Sequence, residues 1–150
     1  LVTLYKNHDF KCHFTLKKHI DFAIKIALVC IIFLGTMENR MAQELLAQLE
    51  AGTANFTDVL TFIEARYNHT PTAFKNGQQL NAANENQGSA KIFSFAKLNG
   101  LNQAQTLSLF AEHYASVLAT PEGTDHQNIR QFMQHGWDGI QFETLALSAK

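Results

Sequence analysis

The side chains best suited to chemistry fall in two polar stretches. Asp125, His126, Gln127 and Asn128 stand together where an apolar-periodic segment begins, and Arg130 follows His126 by four residues on the same helical face. The start of a helix leaves backbone N–H groups free and carries the positive end of the helix dipole. A cluster there suits an anion, and Arg130 would add a charge-assisted contact. The second stretch holds Asn81, Glu85, Asn86, Ser89 and Lys91, a run that leads into another helix start. Lys91 beside a helix N-terminus again suits a negatively charged ligand. Glu112 is a further acidic candidate, and His135-Gly136-Trp137 could form a corner with the indole as a platform.

Each candidate also has a plainer structural role. Thr124 or Asp125 would cap a helix while Gln127 or Asn128 ties down the Pro121–Gly123 turn. Ser89 would cap the helix before Lys91, with the asparagines satisfying loop backbone. Trp137 would plug a core and Gly136 would end a helix. Where the ligand roles hold, the partner is a protein or a small anionic ligand.

Several classes of chemistry lack their constellation. The Gly-x-Ser-x-Gly elbow is absent, as are the Gly-rich phosphate loops of nucleotide-binding proteins. Both cysteines, Cys12 and Cys30, precede residue 37, so a later thiolate site is excluded. His126 and His135 are nine residues apart and point to opposite sides of a helix, and HExxH does not occur. A metal could be held only between helices, from Glu112, His113, Asp125 and His126, which nothing in the spacing selects. No metal or cofactor is therefore expected, and no catalytic residue is identified. Nucleic acid is not an expected partner either, because basic residues beyond position 36 are scattered and the formal net charge is -1.

Hydrophobic periodicity and caps supply the elements that must position these groups. A first helix runs from about Met41 to Ala51. A second is capped by Asn55 with Asp58 three residues on, and carries the stripe Phe56, Val59, Leu60, Ile63 and Tyr67. A third starts at Ser89 and is apolar around much of its girth (Ile92, Phe93, Phe95, Ala96, Leu98), which suits the centre of a core. A fourth runs unbroken from Asn102, with Gln105 completing a capping box, through Leu107, Phe110, Tyr114 and Leu118. The fifth carries Ile129, Phe132, Met133 and Trp137. Ala73–Lys75, stopped by the turn dipeptide Asn76-Gly77, could pair with an alternating strand over Ile140–Phe142, and residues 78–88 read as a polar loop. The expected fold is mainly α, with about five helices and a minor two-stranded element that would make it α+β.

Residues 1–36 stand apart. Five lysines against two aspartates give them a net charge of +3, whereas residues 37–150 carry -4. The apolar run Ile26–Leu34 is only 9 residues long, short of the ~20 needed to span a bilayer. A signal peptide or anchor, or a real extension of another kind, are two readings. The favoured one is sequence translated upstream of a start at Met37 or Met41, with a single folded domain over 37–150 that does not itself engage a membrane.

Certain segments resemble a known family. Thr70-Pro71-Thr72-Ala73-Phe74 with Asn76-Gly77, Glu85-Asn86 with Gly88-Ser89, and Lys91-Ile92-Phe93 are of HopJ type. The most specific block is Gly123-Thr124-Asp125-His126-Gln127-Asn128-Ile129-Arg130, continued by Phe132-Met133 and His135-Gly136-Trp137. Over about Met41 to Leu147 the chain resembles the HopJ type III effectors, which are small bacterial proteins. The resemblance, together with the missing catalytic constellation, points to an effector or interaction protein that binds without turnover. It also implies residence in the cytoplasm of the producing bacterium, and in a host cell for a true effector. It assigns no catalytic residue. The alternative is a small cytosolic enzyme or ligand-binding protein whose site gathers Glu85, Lys91, Glu112, Asp125, His126 and Arg130 in one pocket.

Overall fold

The computed structural model describes residues 24–29 and 40–150. The chain divides into two compact units, Leu1–Arg40 and Met41–Lys150. In the first, residues 24–29 are helical and exposed; the upstream, signal and anchor readings otherwise concern residues outside those described. Among the described residues no helix is long and apolar enough to cross a membrane.

The second unit is an α+β domain, mostly helical. Its helices are α1 (residues 41–50), α2 (Phe56–Arg66), α3 (Gln87–Leu98), α4 (Gln103–Ser108), α5 (Ala111–Ala119) and α6 (Gln127–His135), the last followed by a 3-10 turn, Gly136–Gly139. The strands are β1 (Tyr67–His69), β2 (Phe74–Asn76), β3 (Gln79–Asn81), β4 (Ile140–Phe142) and β5 (Leu147–Ala149).

The expected contact between the Phe74 segment and Ile140–Phe142 forms: β2 and β4 pair antiparallel with Phe74 opposite Phe142 and Asn76 opposite Ile140. The sheet is larger than expected, because part of the polar 78–88 run folds back as β3, with Phe74 opposite Asn81. Gly77, at φ +57, makes the tight reversal that permits this. A second small sheet joins β1 to β5, with Tyr67 opposite Ala149 and His69 opposite Leu147. Neither strand carries a local signal strong enough to read alone, and pairing between distant segments creates them.

Helix boundaries differ from the sequence expectation: α2 stops at Arg66, so Tyr67 begins β1, Trp137 falls in the 3-10 turn after α6, and three further differences shape the domain. First, α3 begins two residues before Ser89. Asn86 precedes it in a left-handed conformation, and Gln87 reaches back to bond with Thr72 through both ends of its amide. Second, the unbroken fourth helix is two helices, α4 and α5. Successive residues of one helix point ~100° apart, yet Leu109 and Phe110 are both buried at the break, at 0% and 2% exposure. Ala111, at φ +46, turns the chain there. Third, α6 is preceded by left-handed His126, so neither Thr124 nor Asp125 caps it.

The core is built around α3, as its all-round apolar pattern requires. The Phe93 ring centroid lies 4.9 Å from Phe132 of α6, 5.5 Å from Phe110 and 6.0 Å from Phe74 of β2. Phe93, Phe110 and Phe132 are fully buried or nearly so. One side chain thus joins a strand, the α4–α5 break and the last helix. That packing brings the N-terminal ends of α3 and α6 to the same side of the domain.

Candidate functional site

Two helix starts in this domain are closed by their own side chains. At α2, Asn55 Oδ1 accepts from the Asp58 N–H at 3.1 Å and Asp58 Oδ2 accepts from the Asn55 N–H at 2.9 Å. At α4, Asn102 Oδ1 accepts from the Gln105 N–H at 2.9 Å and Gln105 Oε1 accepts from the Asn102 N–H at 3.0 Å. Both are complete capping boxes, which use up donors a ligand could otherwise take. By contrast α3 and α6 receive no side-chain cap and have no acidic residue in the first turn. No carboxylate caps either start, which leaves backbone N–H groups open at each.

These two open ends line one half-open pocket of about 320 Å³. Asn86, Gly88 and Ser89 come from the start of α3, and His126, Gln127 and Asn128 from the start of α6. His113 of α5 supplies the third side, with Phe56 and Phe110 as apolar walls. The His113 and His126 rings lie 4.9 Å apart, and Phe56 meets His113 edge-on at 4.6 Å. Among the described residues, the non-glycine residues with positive φ are Asn86, Ala111 and His126. Two of them line the pocket and the third adjoins its wall residue Phe110. Such conformations cost ~1–2 kcal/mol each and persist where the surrounding structure enforces them.

Asparagine amides form a network at the pocket, in which Asn76, Asn81 and Asn128 are buried and Asn86 is exposed. Asn81 Oδ1 accepts from Asn86 Nδ2 and from Asn128 Nδ2, both at 2.8 Å. Asn128 Oδ1 accepts from Asn81 Nδ2 and from Asn76 Nδ2, both at 3.2 Å. Asn76 Nδ2 also donates to the Asn128 carbonyl at 2.6 Å.

Of the sequence candidates, the structure brings Asn86, His126 and Asn128 to the pocket and places Asn81 directly behind it. The others are engaged elsewhere. Lys91 pairs with Glu64 at 2.7 Å, and that contact, first through its hydrogen bond and then through charge, holds the Glu64 carboxyl below the usual range. Glu112 accepts from the Phe56 N–H at 2.9 Å and Glu85 from the Ala82 N–H at 3.1 Å, each fixing local backbone. Arg130 donates to Asp125 Oδ1 at 2.7 Å and to backbone oxygens of Asp125 and Pro121, so it fastens the 120–125 turn. Trp137 donates from Nε1 to the Leu101 carbonyl at 3.1 Å and packs edge-on against Phe132 at 5.2 Å, the core-plug role. His135 sits beside Gly77 with Nε2 buried and unpartnered.

The six-residue site of Glu85, Lys91, Glu112, Asp125, His126 and Arg130 therefore does not gather in one pocket; of the six, His126 alone lines this one. The inter-helix pairing of His113 with His126 does form, but among the described residues no group of three ligating side chains is placed to hold a metal. Sequence reasoning missed Phe56, Gln79, Phe110 and Asn76, and weighed His113 only as a metal ligand. The contributions of Phe56 and His113 depend on α2 and α5 packing together, which leaves no mark in local spacing.

A family described as HopJ type III effector protein matches residues 42–147. A crystal structure of a protein of unknown function, VPA0580, is 50% identical, with a TM-score of 0.67 over 72% of this chain and 92% of that one. No curated protein matches. With the matched span covering the α+β domain and its pocket, the chain belongs to the HopJ type III effector protein family.

Proposed function

We propose that this HopJ-family protein is an effector-type binding protein, and that it works by holding an anionic group of a small ligand or a protein partner without turning it over. The observation that carries this reading is the pair of uncapped helix starts, α3 and α6, which share a pocket with His113 and His126. Open N–H groups at two helix starts favour a carboxylate or phosphate, and the imidazoles add ring nitrogens that can hydrogen-bond to it. Phe56 and Phe110 offer apolar contact to whatever carries the anion. The dispersal of the other ionisable candidates into caps and ion pairs supports binding over catalysis.

Titration of the full chain with phenyl phosphate, followed by amide NMR, tests the binding. The expected result is saturable movement of the Ser89, Gln127 and Asn128 signals, with phenol causing little. Equal responses to phenol and phenyl phosphate, or movement confined to other surfaces, would count against the pocket. The effector part places the protein in a bacterial cytoplasm and then in a host cell. Retention of the tagged chain inside cells whose type III apparatus is active would overturn that part alone.

A further inference from the structure

We infer that Asn81 and Asn128 are positioning residues for this pocket: their paired amides hold the N-terminal ends of α3 and α6 at one fixed separation. The inference rests on the pocket being the binding site proposed above. Its geometric basis is that a single atom, Asn81 Oδ1, is shared by the two helix ends. It accepts from Asn86, the residue before α3, and from Asn128, the second residue of α6. Asn81 returns the bond through Nδ2 to Asn128 Oδ1, making a reciprocal amide pair, and Asn76 of β2 braces Asn128 from the other side.

Burial gives this pair its leverage. Asn81 is 3% exposed and Asn128 6%, so water competes weakly for their bonds. An amide pair serves better than an ion pair here, because it supplies donors and acceptors on both sides without placing a charge beneath two helix dipoles. Asn86 is the movable part of the arrangement. Its left-handed backbone, at φ +49, has no side-chain cap to hold it, and its Nδ2 bond to Asn81 is what fixes it. Asparagine tolerates that conformation better than most residues.

Asn86→Gly in the full chain separates positioning from mere support. Glycine keeps the positive φ without strain and removes only the side-chain link. Two results are expected. Without ligand, the backbone amide signals of Gln127 and Asn128, on the other helix, move, as does the Asn128 side-chain amide. With ligand, phenyl phosphate binds about tenfold more weakly while the melting temperature changes little. Asn81→Ser weakens binding further, and adding Asn86→Gly to it causes no additional loss, because Asn86 acts through Asn81. Unmoved α6 signals in ligand-free Asn86→Gly protein would overturn the inference, as would additive losses in the double variant. Absence of phenyl phosphate binding by the parent chain would instead overturn the pocket reading, and the ligand-free spectra would still decide the linkage.

Discussion

His113 and His126 come from different helices, α5 and α6, yet their rings lie 4.9 Å apart with 38° between their planes. Phe56 closes the column on the His113 side, while Asp125 Oδ2 stands 3.8 Å from His126 Nε2 on the other. The contact exists because His126 takes a left-handed backbone at φ +49, which sets its ring at the mouth of the pocket.

That backbone makes His126 sensitive to which residue replaces it. Asparagine enters the left-handed region far more readily than alanine. His126→Asn should therefore unfold in urea close to the parent, whereas His126→Ala should lose about 1 kcal/mol. Both remove the imidazole, so both should weaken phenyl phosphate binding. Tight binding by His126→Asn would detach the imidazole from recognition.

Ala111, at φ +46, offers the reverse test. Replacement by glycine removes the Cβ conflict, partly offset by the greater freedom of the unfolded chain. A net gain of up to about 1 kcal/mol in urea unfolding is expected. Gly77→Ala should do the opposite. A Cβ there would strike Gln131 Oε1 and come 2.5 Å from His135 Cδ2, at a residue already at φ +57. A loss of ~2–3 kcal/mol is expected.

Arg130 fastens the turn before α6 with bonds to Asp125, Pro121 and Thr120. Its hydrogen bond, and then its charge, holds the Asp125 carboxyl below the ordinary aspartate range. A carboxyl with a lowered folded-state pKa contributes stability above its unfolded value, and that contribution is lost as pH falls through the folded value. The difference in urea midpoint between parent and Asp125→Asn should therefore be constant from pH 7 to about pH 5 and shrink below about pH 4. Added salt should also reduce it, since the Asp125 side of the pair is exposed. Arg130→Lys should not restore the turn, because an ammonium cannot reproduce the guanidinium's fork of donors. Amide exchange across residues 120–125 would show the loosening.

Phe93 is the packing centre, touching Phe74, Phe110 and Phe132. Phe93→Ala should cost ~3–5 kcal/mol, and Phe93→Leu clearly less. Because the same ring holds α6 against α3, the alanine variant should also broaden the Gln127 and Asn128 signals at temperatures where the protein remains folded. Sharp, unshifted signals would show that the pocket's helix ends are fixed by the amides alone.

The sequence by itself determined most of the helical segments, the capping boxes at Asn55 and Asn102 and the central place of the third helix. Those features follow from local spacing, since an apolar period or a cap is complete within a few residues. It also marked Asn81, Asn86, His126 and Asn128, because polar residues gather at helix starts. Only the tertiary structure decided which of these act together. Whether His113 meets His126 depends on how α5 and α6 pack together, while Asp125 pairs with Arg130 instead of capping α6 because the left-handed His126 takes the position before the helix. The β1–β5 pairing and the α4–α5 break have the same origin: hydrogen bonds and burial between residues far apart in the chain outweigh the weak preferences of the short segments involved.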